Sequence, residues 1–173
     1  HKQMKRRQAG LGRSKRMQIE DDLPKICSGV RLGKTLGSPI GMTIKNNDWK
    51  NWGNKMSIEK IDKDIKKITL PRPGHADLVG ALKYDFDDIR NVIERSSARE
   101  TAMRVALGSV CRKLLESFNI HVGSYVSSIF KITDENDYSS LSPIEINNKA
   151  DTSDVRSLDS DIEKQMIQVI KNA

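Results

Sequence analysis

Lys25-Ile26-Cys27-Ser28-Gly29-Val30, a turn-rich segment from Gly33 to Pro39, and Ile40-Gly41-Met42-Thr43-Ile44 follow one another in the chain. Short runs of β-favouring residues bounded by Gly, Ser and Pro read as two strands, and the turn between them makes the pair antiparallel. Working outward, residues 46–70 are polar and Lys-rich, with Ile58, Ile61, Ile65 and Ile68 at three- and four-residue spacing. That pattern fits either a surface helix or an ordered loop. Residues 85–94 read as a short helix. Residues 97–118 read as a long one, because Ala102, Ala106, Val110, Leu114 and Phe118 form an apolar stripe. Residues 120–132 then read as strand, 133–140 as a polar turn region, and 159–171 as an amphipathic helix carrying Ile162, Met166, Ile167 and Ile170. Helices together with antiparallel strands give an α+β fold class, and 173 residues suit a single domain over 1–173.

Composition limits the functions open to such a chain. Hydrophobic residues make up 36%, enough for a core, while aromatics at 5% leave that core short of large side chains. No apolar run approaches the ~20 residues of a spanning helix, and no secretory signal opens the chain, so the cytoplasm is the expected compartment. The two cysteines, Cys27 and Cys111, lack CxxC spacing and neighbouring histidines, and read as reduced core thiols. No Cys, His and carboxylate cluster has metal-ligand spacing, so no metal is expected.

The net charge of +7 is concentrated. Lys2, Lys5, Arg6, Arg7, Arg13, Lys15 and Arg16 precede the first acid, Glu20, and equal the whole excess. One anion-binding element is therefore expected rather than a positively coated surface. It suits either a nucleic-acid arm or a cage around a compact multianionic metabolite, and charge alone does not choose. The absence of aromatics before Trp49 weighs against the nucleic-acid arm.

Two local devices carry chemistry. Ser97 and Glu100 have capping-box spacing at the start of the long helix. The plain reading is a well-capped helix; the sharper one gathers Arg95, Ser96 and Arg99 at the same terminus as an anion site. His75 sits in a Pro-Gly turn. It is either a turn histidine with a structural hydrogen bond or a proton carrier, since imidazole titrates near neutrality. Two apparent nucleotide motifs fail. Gly29 to Gly33 has three residues between its glycines where a Walker A loop needs four, and Gly10-Leu11-Gly12 lacks a third glycine and a preceding strand.

Arg72-Pro73-Gly74-His75-Ala76-Asp77 followed by Glu94-Arg95-Ser96-Ser97-Ala98-Arg99-Glu100-Thr101 resembles chorismate synthase. The likeness runs in order from about Lys5 to the last residues, through Arg6-Arg7-Gln8-Ala9-Gly10-Leu11-Gly12-Arg13-Ser14-Lys15-Arg16-Met17 and Gly33-Lys34-Thr35-Leu36-Gly37-Ser38-Pro39-Ile40. It implies antiparallel sheets around a helical core and a homotetramer. The implied activity is an anti-1,4 elimination of phosphate from 5-enolpyruvylshikimate-3-phosphate, giving chorismate in the shikimate pathway of aromatic amino acid biosynthesis. Reduced FMN is the implied cofactor, with NADPH as flavin reductant in bifunctional members.

Residue by residue, the resemblance makes His75 catalytic, Arg95, Ser96 and Ser97 FMN contacts, and Arg7 and Arg13 NADPH contacts. Arg7, Arg13, Arg16, Arg72 and Arg99 become substrate contacts, and Asp77 orients the turn. The family's Gly-Glu-Ser-His-Gly segment, with a second catalytic histidine, and its later Gly-rich and Arg-Asp segments are not in this sequence. The chain is accordingly expected to be an internal fragment, inactive by itself. The rival readings are a catalytically dead piece holding part of the anion site and a basic-arm nucleic-acid-binding module.

Overall fold

The computed structural model describes residues 1–12, 22–62, 64–97 and 99–173. The chain divides into two compact units, His1–Ile19 with Val105–Ala173, and Glu20–Arg104.

Within Glu20–Arg104, β1 (Pro24–Ile26) pairs antiparallel with β4 (Met42–Ile44), Lys25 lying opposite Thr43. The expected strand pair is therefore present. Between its strands, β2 (Val30–Arg31) and β3 (Lys34–Thr35) form a second hairpin. Leu32 and Gly33 close it with φ of 49° and 77°, the backbone twist that suits a two-residue hairpin turn. Gly29 joins the two hairpins at φ +81°, and a Cβ there would stand 2.5 Å from the Pro39 carbonyl oxygen. Only glycine fits both conditions.

Residues 46–70 resolve the open choice in favour of ordered loop. Among the described residues of this stretch only α2 (Trp49–Trp52) is helical, and the later isoleucines follow an irregular path. That path is pinned by polar contacts: the Ile89 amide donates to the Ile68 carbonyl at 2.9 Å, and the Ile68 amide donates to Asp88 Oδ1 at 3.2 Å. Lys67 pairs with Asp87, and the buried Arg90 donates to Asp88 and to the Lys66 carbonyl. These bonds explain why the helix expected at 85–94 starts later, as α4 (Arg90–Arg95). Asp87 and Asp88 spend their carboxylates on the neighbouring loop instead of entering the helix.

The sequence reading missed α3 (Asp77–Tyr84), which packs on α4. A Cβ on Gly80 would stand 2.4 Å from Cγ1 and 2.9 Å from Cγ2 of Val92. The close approach of the two helices thus depends on a missing side chain. Among the described residues of this unit, Ile89, Val92 and Ala102 are the buried apolar ones.

In the other unit, the first part of the basic stretch is helical, as α1 (Lys2–Gln8). Met4 is 1% exposed, and Arg6 grips Asp151 through Nε at 2.6 Å and Nη2 at 2.5 Å. The long helix α5, Glu100–Ser117, belongs to Glu20–Arg104 as far as Arg104 and to this unit from Val105 on. Its stripe is divided: Ala102 and Ala106 are buried, whereas Leu114 and Phe118 are 63% and 69% exposed. Periodicity marks a face but not what covers it.

Residues 120–132 form strand only at β5 (Ser128–Ile129), paired with β6 (Ile132–Thr133). Upstream, side chains take the backbone groups that a neighbouring strand would have used. Asn147 Nδ2 and Arg112 Nη2 both donate to the Val122 carbonyl at 2.7 Å, and Arg156 donates to the Ser124 carbonyl.

The remaining helices are α6 (Pro143–Ala150), also missed, and α7 (Ser160–Asn172), expected and capped by Asp159. Ser142 and Glu145 form a complete capping box on α6, a signal present in the sequence as Ser-Pro-Ile-Glu. Both cysteines are free but exposed, so the reading of core thiols is corrected. Cys27 points off a two-stranded sheet too small to cover it, its Sγ 3.5 Å from Thr43 Oγ1.

Among the described residues no helix is long and apolar enough to cross a membrane.

Gly80→Ala should destabilise the fold by about 1–3 kcal/mol through overpacking. Gly108→Ala, where a Cβ meets nothing within 4 Å, should be neutral or stabilising by up to ~1 kcal/mol. Urea denaturation midpoints compared at constant m-value check both.

Candidate functional site

The segment Arg72 to His75 is a type II turn in outline. Proline occupies its second position, Gly74 its third at φ +71°, and the His75 amide donates to the Arg72 carbonyl at 3.4 Å. Asp77, in the first turn of α3, closes this turn from beneath. Its Oδ2 accepts from the Arg72 backbone amide at 2.9 Å and from Nε at 2.8 Å, while Oδ1 accepts from Nη2 at 2.9 Å. The Asp77 side chain is 0% exposed and that of Arg72 is 43% exposed. Arg72 holds the Asp77 carboxyl down, from the ordinary value of 3.8 to about 2, mainly through its side-chain bond and then its amide; burial opposes this shift. Asp77 in turn raises Arg72. The helix N-terminus favours the same negative charge.

His75 is exposed at the crest of the turn. No hydrogen bond to its ring nitrogens exists among the described residues, so the structural bond of the plainer reading is not found there. An imidazole in that state can exchange protons with whatever is placed against it.

The second cluster follows α4. Arg95 ends that helix with its guanidinium carbon 6.0 Å from the centroid of the Tyr84 ring, a cation over an aromatic face. Ser96 caps the helix, its amide donating to the Val92 carbonyl at 2.9 Å. Ser96 and Ser97 are half-buried. The expected capping box takes a different form: Ser97 Oγ accepts from the Arg99 amide at 3.2 Å, and Glu100 turns to Arg104 at 2.8 Å. Since α5 begins only at Glu100, Ser97 lies too far outside it to serve as its N-cap.

Arg99 is held by a carboxylate and a backbone carbonyl. Nη1 donates to Asp22 at 2.7 Å and Nη2 to the Lys45 carbonyl at 2.5 Å. Asp22 is 2% exposed, and the sequence reading missed it. The only cue was its place in the Glu20-Asp21-Asp22 run that follows the basic stretch. Its partner stands 77 positions away.

The structure thus places His75, Arg72, Arg95, Ser96, Ser97 and Arg99 in one unit, with the Arg72 to His75 turn preceding α3 and Arg95 ending α4, two helices that pack together. Arg7 lies on α1 in the other unit. Arg13 and Arg16 lie outside the described residues. Among the described residues no group of three or more His, Cys, Asp or Glu could hold a metal ion.

The whole chain, residues 1–173, matches the family model described as chorismate synthase. It is 52% identical over 168 residues to a chorismate synthase of Alkaliphilus metalliredigens, covering 97% of this chain and 43% of that protein. To one of Enterococcus faecalis it is 47% identical, covering 98% of this chain and 44% of that protein. A solved structure titled "Crystal Structure of Chorismate Synthase" superposes with a TM-score of 0.71 at 34% identity, covering 99% of this chain and 43% of that one. The chain therefore spans less than half the length of the relatives it matches.

A depressed carboxyl contributes stability above its unfolded value and loses it as pH falls through its folded value. The Asp77 contribution should hold at neutral pH and vanish between 3.8 and about 2. In acid titrations of stability, the gap between the unsubstituted chain and Asp77→Asn should be constant above about pH 5 and close below about pH 4.

Proposed function

Because the chain belongs to the chorismate synthase family, we propose that it forms part of an enzyme that eliminates phosphate from 5-enolpyruvylshikimate-3-phosphate to give chorismate. The observation that carries this reading is the Arg72 to Asp77 turn, which presents an exposed histidine beside an arginine held by a buried carboxylate. Arg72 and Arg99 bind the anionic groups of the substrate, offsetting charge repulsion and fixing orientation. His75 holds a proton at one imidazole nitrogen and releases it into the site as substrate enters.

Arg95, Ser96 and Ser97 would hold FMN. The donor set fits, since one exposed guanidinium and two half-buried hydroxyls follow each other between α4 and α5. When bound, reduced FMN supplies electron density while phosphate leaves, with no net redox change. On α1, Arg7 supports a contact to substrate or to NADPH, with Arg13 and Arg16 as its companions in this reading. The reading carries with it a cytoplasmic homotetramer in the shikimate pathway. A second reading, a segment that retains only part of the anion site, is favoured by the 43–45% coverage of the relatives.

Titration with FMN, with and without 5-enolpyruvylshikimate-3-phosphate, separates the two. Saturable flavin binding tightened by substrate supports a coupled site in this segment. Binding only by a chain of the relatives' full length supports the partial scaffold, and binding by neither removes the flavin assignment. In the full-length enzyme, His75→Ala should lower kcat by about 10²–10⁴-fold with KM nearly constant; unchanged turnover would remove His75 from the chemistry.

A further inference from the structure

We propose that Asp22 and Asp77 are positioning residues, each holding one substrate-binding arginine, Arg99 and Arg72 respectively, with its guanidinium plane set before substrate arrives. The inference rests on the reading that these two arginines contact the substrate. Both carboxylates are withdrawn from solvent, at 2% and 0% exposure, while the arginine side chains they hold remain 20% and 43% exposed. The anchor is therefore buried and the held group is not.

The fork of Arg72 is fixed by two bonds to Asp77, and that of Arg99 by Asp22 together with a backbone carbonyl. Arg72 presents its Nε and Nη2 edge to Asp77, leaving Nη1 without a hydrogen-bond partner among the described residues. Asp77 also ties down the backbone amide of the same residue, so side chain and turn are fixed together. Arg99 is set by Asp22 on Nη1 and by the Lys45 carbonyl on Nη2, and Ser97 ties its amide. An arginine on a free stem loses rotamer entropy when it binds an anion, whereas one already held has lost it during folding. Net stability is a weak explanation for such pairs, because taking a carboxylate out of water costs about as much as its pairing returns.

The test is a pair of double-mutant cycles in the full-length enzyme carrying this segment, measuring KM for 5-enolpyruvylshikimate-3-phosphate and kcat, with circular dichroism confirming the fold. Asp77→Asn should raise KM about 10- to 100-fold, with kcat changed far less. Adding it to Arg72→Ala should raise KM no further. Asp22→Asn and Arg99→Ala should behave the same way. Equal increases in both backgrounds, or an unchanged KM in Asp77→Asn where Arg72→Ala raises it, would overturn the proposal. If Arg72→Ala and Arg99→Ala themselves leave KM unchanged, the assignment of these arginines to the substrate has failed, and the proposal falls with it. Should the aspartate variants not fold, Arg72→Lys decides for that pair: lysine keeps the charge but cannot form the fork. A KM raised as in Arg72→Ala supports positioning, and the unsubstituted KM overturns it.

Discussion

A carboxylate removed from water must find donors, and for Asp22 and Asp77 the donor is an arginine, while Asp134 is met by Asn136 and Tyr138. Among the described residues the buried apolar ones are few and mostly small or flexible: Met4, Ile89, Val92, Ala102, Ala106, Ala150, Val155, Leu158 and Met166. Where large side chains are scarce, polar ties between distant segments set the path. Asp22 reaches Arg99, Asp77 closes on Arg72, and Asp151 collects Arg6 and Arg156. Each pair fixes a loop or helix end that apolar burial leaves unconstrained.

The consequence for the candidate site is that its arginines are part of the structure themselves. Arg72 spends its Nε and Nη2 donors on Asp77, and Arg99 is tied to Asp22 and to the Lys45 carbonyl, so both guanidiniums are held in a set direction. His75 is the opposite case. It is held through its backbone, in a turn that Gly74 and Asp77 define, while its ring stays uncommitted among the described residues. Rigid support beneath an unengaged imidazole is what proton exchange with a bound reactant requires.

Where sequence and structure part, the reasons are specific. The strand expected through residues 120–132 has no ladder over 120–127, where Asn147, Arg112 and Arg156 take the Val122 and Ser124 carbonyls. The helix expected from residue 85 is delayed because Asp87 and Asp88 bond to Lys67 and to the Ile68 amide. Helix α3 escaped notice because its apolar positions, Leu78, Val79 and Leu82, are 55–76% exposed and give no clean buried stripe. Helix α6 was legible in principle, since its capping box stands in the sequence.

The sequence by itself determined what depends on near neighbours: the Pro73-Gly74 turn, the stripe of α5, the capped amphipathic α7, the β1 and β4 pairing around a turn-rich segment, and the motifs that mark the family. Hydrogen bonds and side-chain periodicity within a few residues set those features. Tertiary structure alone decided which aspartate holds which arginine, since the partners of Arg99 and Arg6 lie 77 and 145 positions away. It also decided that Cys27 and Cys111 face solvent and that half of the α5 stripe is uncovered. Pairing a buried charge is a condition on proximity in space, and local pattern carries no information about which distant segment will meet it.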